Sequence, residues 1–312
     1  IASIVRDQTS VALSFAKEVS QDHASLCQSV LCCSVSQGPP MAPPPPTAAT
    51  TGLRVAITGS SSGLGLEFAR QYAGLGARVY ALCRTPAKAL ELKALAESSD
   101  GAVTLHAHDQ DSSESCADVA DEFAKVAVDI LINNAGVGGS PGARSAISDF
   151  SQDGQQFGAI NYEAWAATMN TNVLGVMRTV EALTPSLLLS PHPRLVHVAG
   201  VFGSVTNQVR VGESSPDMPE RAGKAGYFIY RTSKAAGNML AKMLDVELAP
   251  QGVASLALHP GGVQTRLTEQ LGAYQGSITP DVSVGNMLNL IDQMDVTQGL
   301  QYLMHDGRKL QW

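Results

Sequence analysis

The sequence predicts an α/β protein with a doubly wound, mostly parallel, seven-stranded sheet and helices on both faces. Three observations predict it. Short apolar runs of strand length alternate with segments of helical spacing from Leu53 to Trp312. A glycine-rich turn stands directly behind the first of those runs. At most seven strand candidates are present, whereas a closed β/α barrel needs eight.

The elements follow in order. LRVAIT, Leu53–Thr58, is the first strand, and LGLEFARQYAGLG behind the turn has helical spacing. Ala77–Leu82 is the second strand. Pro86 opens a helix to about Ala96, where its missing N–H is not needed. Val103–Ala107 is the third strand, and Ser113–Val126 is a helix with Ser112 or Ser113 at its cap. Val128–Ile132 is the fourth strand. A long helix is expected from Tyr162 to Leu189, with a break near Pro185. Leu195–Ala199, Val253–Leu258 and Gln301–Met304 complete the strands, and Tyr230–Leu248 and Asp281–Met294 the helices.

Residues 1–40 read differently. TSVALSFAKEV, residues 9–19, has the spacing of a short amphipathic helix, and a Ser/Cys-rich stretch follows it. APPPPTAATTG then runs from Ala42 to Gly52, and four consecutive prolines continue neither a helix nor a central strand. Residues 1–52 are therefore expected to be a disordered or processed tail, and 53–312 a single domain. Met41 directly precedes the prolines and is a candidate initiator, which would make the residues before it an over-extended gene model or a processed leader. Organellar import through residues 1–40 is the competing reading. Asp7, Glu18 and Asp22, and the lack of a positive segment before an apolar one, weigh against it.

Composition narrows the function. A net charge of -7 with no basic block gives no reason to expect nucleic acid. No apolar run reaches the length of a membrane-spanning helix. The five cysteines show no paired CxxC spacing, so no metal is expected and a reducing, cytoplasmic setting is the simple reading.

The turn TGSSSGLG, Thr58–Gly65, carries the first chemistry. Gly59 permits the turn, Gly63 lets a diphosphate approach the backbone, and Gly65 lets the helix pack closely. The helix N-terminus then faces the anion. Tyr230 and Lys234 stand four apart and share a helical face. A tyrosine is a poor proton donor or acceptor at its free pKa of about 10, and a nearby ammonium favours the phenolate. Such a pair moves the proton that accompanies a hydride transfer.

The spacing T-G-x-x-x-G-x-G resembles the fingerprint of the short-chain dehydrogenases/reductases. Four further matches stand in that family's order: NNAG at Asn133–Gly136, NVLG at Asn172–Gly175, YRTSK at Tyr230–Lys234, and Pro260-Gly261 with Thr265. YRTSKAAGN, LHPGGVQT and the terminal DGRKLQW are similar to the C-factor-like branch. The resemblance implies a Rossmann-like domain that binds a nicotinamide dinucleotide. It implies cofactor contacts from Thr58, Gly59, Ser61, Ser62, Gly63, Leu64 and Gly65. Ala135 and Gly136 would lie against the nucleotide, with Asn133 bracing the sheet beside it. Pro260, Gly261, Val263 and Thr265 would close over the nicotinamide. It makes Tyr230 the proton donor/acceptor, assisted by Lys234 and by Asn172 through a water-mediated path. Asp109 resembles the adenine-amino contact, or is a turn acid. The substrate would be a small carbonyl or alcohol, and the long helices starting near Tyr162 and Tyr230 would form a homodimer or homotetramer.

Two positions refine this. An NAD-preferring member would carry an acid where Cys83 stands, whereas Arg84 suits a 2′-phosphate, so NADP(H) is favoured over NAD(H). The other departs from the family. VHVAGVFGS, Val196–Ser204, aligns with V-N-V-S-S-x-x-G-S and puts glycine, Gly200, at the serine that binds the carbonyl oxygen. Ser204 would substitute only in a remodelled loop. The stretch 205–228 reads as an inserted loop that either covers the site or decorates the surface, and Arg210, Ser214 and Ser215 are its candidate visitors. The alternative function is therefore a cofactor-binding protein of low turnover with a regulatory or signalling role.

Overall fold

The computed structural model describes residues 51–139, 154–218, 226–268 and 277–312. The amphipathic segment 9–19, the proline stretch before Thr51 and residues 219–225 of the inserted loop lie outside the described residues.

The domain starts with β1 (Arg54–Thr58), α1 (Gly63–Gly74), β2 (Arg78–Cys83), α2 (Leu90–Glu97), β3 (Val103–Ala107), α3 (Ser113–Phe123) and β4 (Ile130–Asn133). A small hairpin follows, β5 (Gln155–Gln156) and β6 (Ala159–Ile160), and then α4 (Tyr162–Met169) and α5 (Val176–Leu187). β7 (Arg194–Val198), α6 (Phe228–Leu248), β8 (Ala254–His259), α7 (Pro280–Asp292) and β9 (Gln301–Met304) complete it. The main sheet has seven strands in the order β3-β2-β1-β4-β7-β8-β9. Every pairing in it is parallel. The order reverses beside β1, so β1 and β4 frame the switch point where such sheets bind ligands.

Alternation along the strands divides the core into two layers. Val55, Ile57, Ile130 and Ile132 point to one face, where Phe68 and Tyr72 of α1 and Met287 and Ile291 of α7 cover them. Ala56, Leu131 and Leu195 point to the other, under Phe123 of α3, Leu183 of α5 and Leu244 of α6. The doubly wound sheet predicted from the sequence is the one observed.

Three local expectations fail, each for a tertiary reason. Pro86 opens only a short 3₁₀ turn, Pro86–Lys88, and Ala89 interrupts the expected helix before α2. Ala89 is buried in the core, so packing there overrides helical propensity. Pro185 does not break its helix. It sits exposed in the last turn of α5, and the carbonyl it leaves unpaired belongs to exposed Glu181. The interruption falls instead at Asn170–Gly175, a wider π-helical turn between α4 and α5. Gln110 Nε2 donates to the carbonyl of Thr171 at 2.8 Å, and Thr171 Oγ1 donates to Asp111 Oδ2 at 2.8 Å. The loop after β3 thus holds the π-turn at one backbone carbonyl and one side-chain hydroxyl.

Candidate active site

The glycine turn folds as it does because two backbones meet there. Gly59 has φ +65, and a Cβ on it would meet Ala135 Cα at 2.8 Å. A Cβ on Gly65 would meet the Gly59 carbonyl oxygen at 2.3 Å. Thr58 locks the turn to the loop after β4, because its Oγ1 accepts from the N–H groups of Asn134 and Ala135, both at 3.0 Å. Asn134 Nδ2 returns a bond to the Thr58 carbonyl at 2.9 Å. Asn134, overlooked by the sequence reading, is thus the working amide of the NNAG motif. Its signal was its place inside that motif.

A cavity of about 600 Å³ lies along the C-terminal ends of the strands. Thr58, Gly59, Ser61, Ser62, Gly63 and Leu64 line it from the turn. Arg84, Asp109, Ala135 and Gly136 line it further along, and Pro260 and Thr265 from the segment after β8. Tyr230 and Lys234 line it from α6. Four expected contacts are not part of the lining. Gly65 packs against Gly59, Asn133 is buried at the end of β4, Gly261 lies against the His305 ring, and Val263 is buried and bridged to Ile278. Lys88 lines the same end as Arg84. A basic residue four positions past Arg84 was the available signal for it.

Buried Tyr230 and half-buried Lys234 face each other at the other end. Lys234 Nζ stands 5.7 Å from the Tyr230 ring centroid and donates to the Val198 carbonyl at 3.2 Å. Burial pushes the Tyr230 hydroxyl well above the usual phenol range and pushes Lys234 down to about 8. The phenol therefore keeps its proton at neutral pH, while the ammonium stays charged only below about 8. Phe202 and Leu267 pack against Tyr230 and Tyr227 in an apolar cluster beside the site.

Asn172 is buried outside the cavity lining, in the π-turn. Its Oδ1 accepts from Val137 N–H at 2.8 Å, and its Nδ2 donates to the Val137 carbonyl and to Ser233 Oγ, both at 3.0 Å. The side chain thus ties the loop after β4 to α6.

Gly200 has φ -155 and ψ 129, an extended conformation open to any residue. The expected stand-ins for a serine there do not reach the site. Ser204 is fully buried, and its Oγ accepts from Asn207 N–H at 3.2 Å and Nδ2 at 2.8 Å. Asn207 in turn binds Ser215 and Asp217, and Asp217 Oδ2 accepts from Gln311 N–H at 3.0 Å. The described part of the inserted loop is therefore clamped to the C-terminal segment, and none of its residues, Arg210, Ser214 and Ser215 included, lines the cavity.

Comparison with known proteins adds the following. Residues 54–212 and 218–276 match the family model described as short chain dehydrogenase. The C-signal protein of Myxococcus xanthus is 30% identical over 185 residues, which span 59% of this chain and 93% of that protein. An uncharacterised oxidoreductase of Schizosaccharomyces pombe is 26% identical over 275 residues, 83% of this chain and 98% of its own. A short-chain dehydrogenase/reductase from Burkholderia multivorans, solved with bound NADP, superposes with a TM-score of 0.68 at 24% identity, covering 84% of this chain and all 100% of that one. The NADPH-bound carbonyl reductase from chicken fatty liver gives 0.68 at 22% identity, with the same coverage. At these identities the two structures speak to the fold.

Proposed function

The chain belongs to the short-chain dehydrogenase family, and from that premise we propose that it is an NADP(H)-dependent oxidoreductase acting on a small carbonyl or alcohol. The observation that carries the reading is one cavity lined by both the N-terminus of α1 and the Tyr230-Lys234 pair. The N-terminus of α1 fits the cofactor's diphosphate. Its N-cap, Ser62, makes no side-chain cap bond, and no acid stands in the first turn. By helix geometry the N–H groups of Gly63, Leu64 and Gly65 have no partner within the helix and are available to an anion. At the far end Cys83 offers no carboxylate to a ribose, while Arg84 and Lys88 offer two cations to a 2′-phosphate.

The bound nicotinamide would supply or take the hydride. The chain's part is to hold and move the proton. Tyr230, kept neutral by burial, gives its proton to the carbonyl oxygen in the reducing direction. Charged Lys234 stabilises the phenolate left behind. Asn172 and Thr58 hold the loop between turn and helix. Val137 and Leu267 give the site apolar walls.

Arg84→Ala tests the cofactor. NADPH affinity should fall about tenfold, the scale of one charge-assisted contact at an exposed site, and NADH affinity should stay within twofold, both read by nicotinamide fluorescence titration. Equal loss for both cofactors would overturn the 2′-phosphate assignment. The pH profile tests the pair. Because burial lowers Lys234, its charge is present below about 8 and lost above it. The kcat/KM for NADPH, which reports the free enzyme, should therefore fall as pH rises through that value. In Lys234→Arg the fall should move upward, because guanidinium keeps its charge. A profile flat to pH 10 would count against the role.

A second reading is kept because of Gly200. Missing the carbonyl-binding hydroxyl, the protein would bind NADP(H) tightly yet turn over little, and serve a regulatory or signalling role. Tight cofactor titration without reduction of any carbonyl in a broad screen would select it.

A further inference from the structure

Helix α6 begins without a cap of its own. Its N-cap residue, Tyr227, holds φ 55 and makes no side-chain cap bond. The left-handed region disfavours a bulky side chain, so surrounding contacts must hold it. The N–H of Tyr230 lies in the first turn, where no carbonyl of the helix reaches it. Its partner comes from 75 residues away: it donates to Gln155 Oε1 at 3.0 Å. The other end of the same amide, Gln155 Nε2, donates to the Gly138 carbonyl at 3.0 Å. Gln155 has no exposed surface at all. The carboxamide's oxygen accepts while its amino group donates, so this one side chain serves both partners.

This bridge runs alongside the one made by Asn172. Asn172 joins Val137 to Ser233, and Gln155 joins Gly138 to Tyr230. Two adjacent residues of the loop after β4 are thus tied to two positions in one turn of α6. That loop begins with Asn134, Ala135 and Gly136, which wall the cavity. Asn172 belongs to a motif of the sequence. Gln155 belongs to none, and the hairpin β5–β6 brings it in.

We infer that Gln155 is a positioning residue: it caps the first turn of α6 from outside the helix and fixes Tyr230 against the cavity wall. The consequence for rate rests on the reading of Tyr230 as proton donor; the bracing itself does not. A small misplacement of a reacting group costs about a hundredfold in rate, so the effect belongs in kcat, with cofactor affinity spared.

The test uses Gln155→Leu and Gln155→Glu in the full chain. The first removes both bonds at similar volume. The second keeps an acceptor for the Tyr230 N–H and gives up the donor to Gly138. In Gln155→Leu, kcat for carbonyl reduction should fall about ten- to hundredfold, with NADPH Kd within threefold of wild type. Amide exchange at Tyr230 should speed up at least tenfold, while exchange at Leu244, late in the same helix, holds. In Gln155→Glu the Tyr230 amide should regain protection and kcat should partly recover. The added carboxylate should also move the upper limb of the kcat–pH profile to higher pH. Unchanged exchange at Tyr230 in Gln155→Leu would overturn the inference. So would a loss of kcat matched by equal losses of cofactor affinity and of protection along all of α6, the mark of a mere space-filling role. A wild type without turnover, whose Tyr230 protection is still lost in Gln155→Leu alone, would uphold the bracing and overturn the reading of Tyr230.

Discussion

Replacing Tyr230 by phenylalanine is expected to lower kcat/KM for carbonyl reduction by about 10²–10⁴-fold, the usual worth of a positioned general acid. NADPH affinity should stay within a few-fold. The ring's packing survives the change. Phe202 meets it edge-on with centroids 6.0 Å apart, and Tyr227 and Leu267 close the same cluster. Only the hydroxyl is lost, and with it the proton that burial holds in place at neutral pH. The residues proposed to hold the diphosphate, Gly59 to Leu64, lie in the turn after β1 and at the start of α1, not on α6. Steady-state rates and a fluorescence titration on the same sample separate the two effects. A variant within threefold of wild type in rate would place the proton donor elsewhere.

Gly200→Ser is expected to act in the opposite direction. Restoring one hydrogen-bond donor for the developing oxyanion should raise kcat/KM by about 10²–10³-fold. The position can take the side chain. Its backbone is extended, and the nearest atoms a Cβ would meet are Cγ and Cδ of Lys234, both at 3.6 Å, which is ordinary contact. The new group would lie along the stem of Lys234. Ser204 does not already supply this donor, since it is buried and bonded to Asn207. Ser204→Ala should accordingly leave the rate constants of the folded protein unchanged. A fast wild type, indifferent to Gly200→Ser but crippled by Ser204→Ala, would refute this account. Tight NADPH binding with no turnover in either form would move the weight to the low-turnover reading.

The fold was legible wherever the signal was local. β1, its turn and α1 form one continuous strand–turn–helix unit, and each part has its own periodicity. The Tyr-Lys pair was legible because a spacing of four on a helix fixes a common face. β3 and β9, the two edge strands, have the bounds the sequence predicts, Val103–Ala107 and Gln301–Met304. The NNAG motif marked its loop but not the division of labour within it. Asn133 and Asn134 look alike in sequence, and only the meeting with Thr58 decides which amide works at the site.

What the sequence by itself determined was the order of the seven main strands along the chain, the two-faced burial of their sheet and part of the cavity lining, the glycine turn with Tyr230 and Lys234. These follow from which side chains leave water, a property each segment carries alone. The tertiary structure alone decided where backbone groups without local partners would find them. The Thr171 carbonyl in the π-turn is met by Gln110, which arrives from another loop. Ser204 and the described part of the inserted loop stay out of the cavity lining because Asn207, Asp217 and the C-terminal segment hold them. The helix bearing Tyr230 is capped by Gln155 from a distant hairpin. A buried polar group must be satisfied, but its own sequence neighbourhood does not say by whom.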